Sequence, residues 1–366
     1  MALKRRNWPE GRVVTLEVTS AVLADNPLGD PSTRQLDVWL PPGYDQGRGG
    51  GRGKRYPVLF DLVGYTGSGK SHTAWRNFDE NVPERAARLI ADKKMGPVVV
   101  AFPDCFTALG GNQYVNSAAV GRYADHLVQE LVPLVDREFR TLAERDHRGC
   151  FGKSSGGYGA LLHGMKYSRH WGAIASHSGD AYFDFLYRCD WPNTLDELAK
   201  YRAKPRREGP VAAEDLRSGP EAGDGRVRRF LAAVWKKPNP SGAEIHCLMN
   251  LAMAATYDPD PEDPSRIRLP FDAETGELIP ERWRQWLRHD PINLVARYAK
   301  NLKTLRGIFV DCGWRDQYRI HYGSRLLSKR LAEHGVEHRY EEFDGTHSGI
   351  DHRMDRSLPF LYRALR

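Results

Sequence analysis

The 366-residue chain has few cysteines and no cysteine pattern: Cys105, Cys150, Cys189, Cys247 and Cys312 are odd in number and widely spaced, with no C-x-x-C pair and no Cys/His spacing suited to zinc. A disulfide scaffold and a zinc site are excluded, no metal or organic cofactor is expected, and the expectation is reduced, buried thiols in a cytoplasmic protein. Long hydrophobic runs are also missing. Nowhere are there about 18 consecutive apolar residues, and residues 1–9 carry charge with no apolar run behind them, so neither a membrane span nor an export signal is expected. Charge of one sign is lacking too: 54 Lys and Arg stand against 47 Asp and Glu, a formal charge of +7. The basic pairs (Lys4-Arg5-Arg6, Arg206-Arg207, Arg228-Arg229) are scattered and not interleaved with aromatics, so they read as solvated surface, and no nucleic-acid partner is expected.

What is present is the balance of a globular protein with a sizeable core, 40 % hydrophobic and 28 % charged residues. Residues 13–22 and 34–40 alternate apolar and polar, with Leu36, Val38 and Leu40 on one face, and predict an antiparallel edge hairpin. A Gly/Arg spacer at 47–54 reads as an exposed loop. From Tyr56 onward the pattern changes to short, mostly apolar strands (57–62, 97–102, 148–151, 172–176, 307–310), with a more polar last one at 337–343, separated by helical runs such as 122–139 and 158–167. This predicts an α/β fold, a mostly parallel doubly wound sheet. The alternation breaks between Asp180 and Lys303, where Pro, Gly and charge clusters (204–210, 217–229, 258–264) separate helical pieces. The expected organisation is a core of residues 1–179 and 304–366 with a helical cap inserted at 180–303. The cap's aromatics (Tyr182, Phe183, Phe185, Tyr187, Trp191, Trp235, Trp283, Trp286) are expected mainly to hold it to the core.

Immediately after the predicted strand at 148–151 the chain reads Gly152-Lys153-Ser154-Ser155-Gly156-Gly157 and then turns helical. This is G-x-S-x-G between strand and helix. The turn is sharp and strained, so small flanking residues are needed, and the serine hydroxyl projects at the sheet edge. Ser154, not Ser155, has glycine two positions away on both sides. A serine nucleophile requires a histidine base and an acid to orient it. Asp316 lies in the loop beyond the strand at 307–310, and His347 in the loop Asp344-Gly345-Thr346-His347-Ser348-Gly349 beyond the strand at 337–343. One helix, predicted at 321–334, separates those strands. Asp311, at the end of its predicted strand, is expected to tie the loop down by local hydrogen bonds, and His352 to lie on the surface of the final helix.

The loop after the strand at 57–62 reads Val63-Gly64-Tyr65-Thr66-Gly67-Ser68-Gly69-Lys70-Ser71. It is where an oxyanion hole would draw one amide, the other coming from Ser155. From Gly64 to Ser71 the loop also spells G-x-x-x-x-G-K-S, a phosphate-binding loop in which Lys70 would meet phosphate and Ser71 magnesium. Residues 72–78 do not continue as an apolar-periodic helix, and a nucleotide-binding phosphotransferase would leave the Ser, Asp and His loops unexplained. A catalytically silent binding module on the same fold would leave the intact set equally unexplained.

With these residues in hand, the chain resembles the esterase D and enterochelin-esterase-like branch of the α/β-hydrolases, which includes S-formylglutathione hydrolases, feruloyl and acetyl-xylan esterases, siderophore trilactone hydrolases and mycolyltransferases. Leu40-Pro41-Pro42-Gly43-Tyr44, Tyr56-Pro57-Val58-Leu59, Pro103-Asp104, Tyr114-Val115-Asn116-Ser117 and Gly152 through Ala160 carry the resemblance. It implies a serine hydrolase of carboxylic esters with Ser154 as nucleophile, His347 as base, Asp316 as acid and the Tyr65 and Ser155 amides as oxyanion donors, or an acyltransferase on the same residues. The substrate is then a small-molecule ester, and Gly64, Asp180, Tyr182 and Trp314 are candidates for its pocket. Val63 stands where relatives commonly have His, and Ser155 where they have Met; neither change removes a backbone donor.

Overall fold

The computed structural model describes residues 8–45, 53–203 and 225–366. The N-terminal basic cluster and Arg206-Arg207 lie outside the described residues, as do most of the 47–54 spacer, all of 204–210 and most of 217–229. The strands are β1 (Arg12–Thr19), β2 (Thr33–Leu40), β3 (Val58–Leu62), β4 (Val99–Pro103), β5 (Asn116–Ser117), β6 (Gly121–Arg122), β7 (Arg148–Lys153), β8 (Ala173–His177), β9 (Gly307–Gly313) and β10 (Arg339–Phe343). β5 and β6 pair only with each other, and the rest form one sheet in the order β1-β2-β4-β3-β7-β8-β9-β10.

β1 pairs antiparallel with β2, and β2 antiparallel with β4; from β4 to β10 every neighbour is parallel. The burial pattern follows from this. β3, β4 and β8 are buried at every position because helices cover both faces, whereas β1, at the open edge, alternates between exposed and half-buried. On one face a large apolar core joins the helices Ser155–Lys166, Pro291–Leu302 and Ile320–Glu333 to the sheet and runs on without a break into the helical segment after β8. On the other face, Val82–Ala91 and Met354–Leu365 close a smaller core around Trp39, Phe102, Phe151 and Phe309. Val82–Ala91 starts on a full capping box, Asn81 with Glu84, and has Pro83 in its first turn, where a missing N–H costs nothing.

Between β8 and β9 lie Phe183–Leu186, Trp191–Ala199, Arg226–Val234, Gly242–Tyr257, Pro280–Leu287 and Pro291–Leu302. The last packs on Ser155–Lys166 and Ile320–Glu333, in the helical layer of the sheet. Phe183, Tyr187, Trp191, Trp283 and Trp286 are buried, while Phe185 and Trp235 are about half exposed.

Several boundaries differ from the sequence expectation, each for a local reason. β1 stops at Thr19 because Glu130 captures the chain beyond it, accepting from Ser20 Oγ and from the amides of Ala21 and Val22. The helix expected over 122–139 is interrupted by a π-helical turn, His126–Leu131, just ahead of Pro133, which has no N–H to give the preceding turn. β9 continues to Gly313, so Asp311 sits inside the strand. All five cysteines are free, four buried as expected; Cys189 is exposed, carried on the surface turn Arg188–Asp190. No helix of the described residues is long and apolar enough to cross a membrane.

Candidate active site

β7 passes into the helix Ser155–Lys166 through Ser154, whose backbone has φ 56° and ψ −125°. A non-glycine residue holds such a conformation only when its surroundings over-determine it. The flanking glycines show how. A Cβ on Gly152 would stand 2.1 Å from the carbonyl oxygen of Leu62, and one on Gly156 1.7 Å from the same atom. The reversal therefore presses directly onto the end of β3. Ser154 N–H donates to the His177 carbonyl at the end of β8 (2.9 Å), and its own carbonyl accepts from Tyr158 N–H (2.8 Å).

Beyond β10, His347 Nδ1 lies 2.8 Å from Asp316 Oδ2. The acid is itself held: Asp316 Oδ1 accepts from Tyr318 N–H (2.9 Å), and Asp316 N–H donates to the Gly313 carbonyl (3.0 Å). His347 is fixed at two further points. Its backbone N–H donates to Gln317 Oε1 (2.9 Å), and the Tyr318 ring meets the imidazole edge to face at 4.8 Å. With Nδ1 committed to Asp316, Nε2 is the nitrogen left for a substrate-side proton. Asp311 does not tie the loop down locally, as expected from sequence: its carboxylate bonds His177 Nδ1 (2.7 Å) and Arg353 Nε (2.8 Å), on the face of the sheet shared with Phe309. His352 is exposed, in the turn Asp351–Arg353 rather than in the final helix.

The loop after β3 runs against the serine. A Cβ on Gly64 would be 3.4 Å from the Lys153 carbonyl oxygen and 3.6 Å from Ser154 Cβ. Tyr65 follows, its ring buried and its hydroxyl donating to the Leu109 carbonyl (2.5 Å), with Gly111 packed so tightly on its backbone that any side chain there would collide. Ser155 opens its helix, so its N–H has no acceptor within that helix. The residues of the phosphate-loop spelling are otherwise engaged: Lys70 Nζ reaches Gln35 Oε1 (3.3 Å), Ser71 Oγ donates to the Ser68 carbonyl (2.7 Å), and the helix Gly69–Thr73 is little more than one turn.

Of the other pocket candidates, Asp180 is joined to the serine turn through Gln113. Its Oδ2 accepts from Tyr187 O–H (2.9 Å) and from Gln113 Nε2 (3.4 Å), and the same Gln113 nitrogen donates to Ser155 Oγ (2.8 Å). Burial pushes the Asp180 carboxyl up to about 6, against the pull of the Tyr187 hydrogen bond and the charge of His347. Tyr182 and Trp314 make their contacts elsewhere. Tyr182, left-handed at φ 61°, donates its N–H to Asp290 and stacks on Phe185, while Trp314, 48 % exposed, donates its N–H to the Phe343 carbonyl and lies under the Arg315 guanidinium. Sequence reasoning missed Gln113, Gln317 and Tyr318. The last two adjoin Asp316, a signal that could have raised them; Gln113 carries none. Among the described residues no group of His, Cys, Asp and Glu is placed to hold a metal ion.

The sheet order, its antiparallel start and the strained serine between β7 and its helix make the chain an α/β-hydrolase. Its nearest chemistry follows from the sequence: residues 31–355 match the model of the Esterase family, described as "Putative esterase", and the chain belongs to that family. An esterase of Mycobacterium tuberculosis is 33 % identical over 167 residues, 43 % of this chain and 32 % of that protein. The chain thus spans about a third of the length of the curated relatives it matches. Among solved structures, a ferulic acid esterase superposes with a TM-score of 0.59 at 19 % identity, covering 98 % of this chain and 100 % of the other. An S-formylglutathione hydrolase from Agrobacterium tumefaciens does so at 0.54 and 14 % identity, over 100 % and 99 %. At these identities the likeness is one of fold.

Proposed function

We propose that the chain is a serine hydrolase that cleaves carboxylic esters through an acyl-enzyme on Ser154. Ser154 Oγ attacks the ester carbonyl while His347 Nε2 takes its proton; Asp316 holds the imidazole in the required tautomer, and the amides of Tyr65 and Ser155 receive the oxyanion. His347 returns the proton to the leaving alcohol, and water, activated by the same histidine, releases the acid. The observation that carries this reading is the 2.8 Å His347–Asp316 pair in loops that follow a strained Ser154 in the chain order of this fold.

The pocket in this reading is formed by Gly64 beside the nucleophile and Asp180 beyond β8, with Tyr182 and Trp314 further out and the described helices between Phe183 and Leu287 as a cap, Pro291–Leu302 belonging instead to the helical layer of the sheet. Asp180 and Gln113 give it a polar, hydrogen-bonding wall next to Ser155. The names of the structural relatives put aromatic acyl esters and thioesters first among substrates to try.

The test is turnover of p-nitrophenyl acetate, butyrate and octanoate by the wild type and Ser154→Ala, with the fold of the variant checked by circular dichroism and Ser154 probed with a fluorophosphonate. Activity and labelling that vanish together in a folded Ser154→Ala support the reading. A wild type that is inactive on all three and unlabelled overturns it. Ester products formed when an alcohol is added point to acyl transfer on the same serine.

A further inference from the structure

A second serine, histidine and aspartate lie in contact on the other face of the sheet. His177, at the end of β8, places Nδ1 2.7 Å from Asp311 Oδ1 and Nε2 2.8 Å from Ser357 Oγ. Asp311 and Ser357 are 0 % exposed and His177 2 %. Asp311 Oδ2 accepts from Arg353 Nε (2.8 Å), and Arg353 also pairs with Glu341 on β10 and covers the Phe343 ring at 4.5 Å.

This set cannot meet a substrate, because Ser357 is sealed inside the helix Met354–Leu365. What it touches is the base of each proposed catalytic loop. The His177 carbonyl accepts the Ser154 N–H, and the Asp311 carbonyl accepts the Ser178 N–H (2.9 and 2.8 Å). Asp311 stands in β9, the strand that leads to Asp316. Glu341 and Phe343 precede the His347 loop and Arg353 and Ser357 follow it, so Arg353 clasps both ends of that loop. A buried ion pair is often no more stabilising than apolar residues of equal volume, so stability alone does not account for it; what it supplies is a fixed geometry. A strained nucleophile and a base that must meet it within a fraction of an ångström need such a fixture.

We infer that Ser357–His177–Asp311, with Arg353, is the positioning element that keeps the nucleophile, acid and base loops in mutual register, an inference that rests on the proposed Ser154–His347–Asp316 chemistry. It acts through hydrogen bonds to the loop bases and never on the substrate.

The experiment compares kcat per active site, counted by the end-point of fluorophosphonate labelling, with KM and the thermal midpoint in four variants of the full chain. Asp311→Asn keeps the volume but cannot accept from both His177 and Arg353. Its expected loss in kcat per titrated site is on the order of 10²-fold with KM little changed, the scale of a catalytic group misplaced by about an ångström. Ser357→Ala removes one hydrogen bond and should cost about fivefold. His177→Leu should lose as much as Asp311→Asn, and His177→Asn, whose amide nitrogen can stand where Nδ1 stood, should recover most of that loss. A purely structural role would lower the thermal midpoint and leave kcat per titrated site at the wild-type value. That result in Asp311→Asn, or in Ser357→Ala should Asp311→Asn not fold, overturns the inference. A wild type that neither labels nor hydrolyses esters sinks the proposed function instead, so the two failures are distinct.

Discussion

Two His–Asp pairs of nearly the same length share this molecule, 2.8 Å for His347–Asp316, proposed to serve Ser154, and 2.7 Å for His177–Asp311, which bonds Ser357. What separates them is backbone and access. Ser154 sits at φ 56° on a reversal too tight for any side chain at Gly152 or Gly156, and it is partly exposed. Ser357 lies inside the helix Met354–Leu365 at 0 % exposure. Residue types and a short hydrogen bond therefore do not define a catalytic site. In the proposed reading, a strained and partly exposed serine with the loop after β3 against it is what would fit one set for chemistry and leave the other a fastening.

The sharpest way to break that contrast is to remove each serine in turn. Ser154→Ala should lower ester turnover by about 10⁵-fold or more, against about fivefold for Ser357→Ala, when both are assayed on p-nitrophenyl butyrate. Comparable losses would erase the distinction between the two sets. Next in size are the acids: Asp316→Asn should cost on the order of 10⁴-fold in kcat by disfavouring the required imidazole tautomer, about a hundred times the loss expected for Asp311→Asn. Gly156→Ala probes the strained turn itself. Its Cβ would stand 1.7 Å from a backbone oxygen, so the turn must shift; a loss of about 3 kcal/mol in denaturant unfolding is expected, together with lost labelling at Ser154.

A smaller effect sharpens the electrostatic side of the comparison. Burial holds the Asp180 carboxyl at about 6 against an ordinary 3.8, so the native state binds that proton more tightly than the unfolded chain. Stability from this group is complete below the unfolded value and is lost as pH rises through about 6. Asp290, also at about 6 because it is buried, adds the same sign. Asp180→Asn should therefore flatten part of the decline between pH 4 and 7 and be more stable than the wild type at pH 8 by about 2 to 3 kcal/mol, measured as unfolding free energy against pH. Smallest of all is Lys70→Ala. Its ammonium is exposed and bonds only Gln35 at 3.3 Å among the contacts described, so turnover should stay within about twofold; a collapse without misfolding would restore a role to the phosphate-loop spelling.

Much of this architecture is legible in one dimension because it repeats. Runs such as 57–62 and 97–102, apolar but for Asp61, mark strands covered on both faces, and the alternation of β1 marks an open edge. G-x-S-x-G is legible because sterics leave so few spellings for that turn. Contacts between distant segments leave no such trace. Glu130 ending β1, Gln113 bridging Ser155 and Asp180, and Arg353 reaching both Asp311 and Glu341 all pair residues that no periodicity connects. Asp311 illustrates the limit: placing Asp316 in the loop beyond the strand matches its pairing with His347, but that β9 runs on to Gly313 and turns Asp311 toward His177 and Arg353 depends on segments far away in the chain.

By itself, then, the sequence determined the α/β sheet, its antiparallel beginning, and the order in which serine, acid and histidine loops leave it, since local periodicity and turn sterics act over a few residues. The tertiary structure alone decided that Asp311 faces His177 and Arg353 and that this second pair is buried under a helix. Those outcomes depend on burial and on hydrogen bonds between segments far apart in the chain, and only packing brings such segments together.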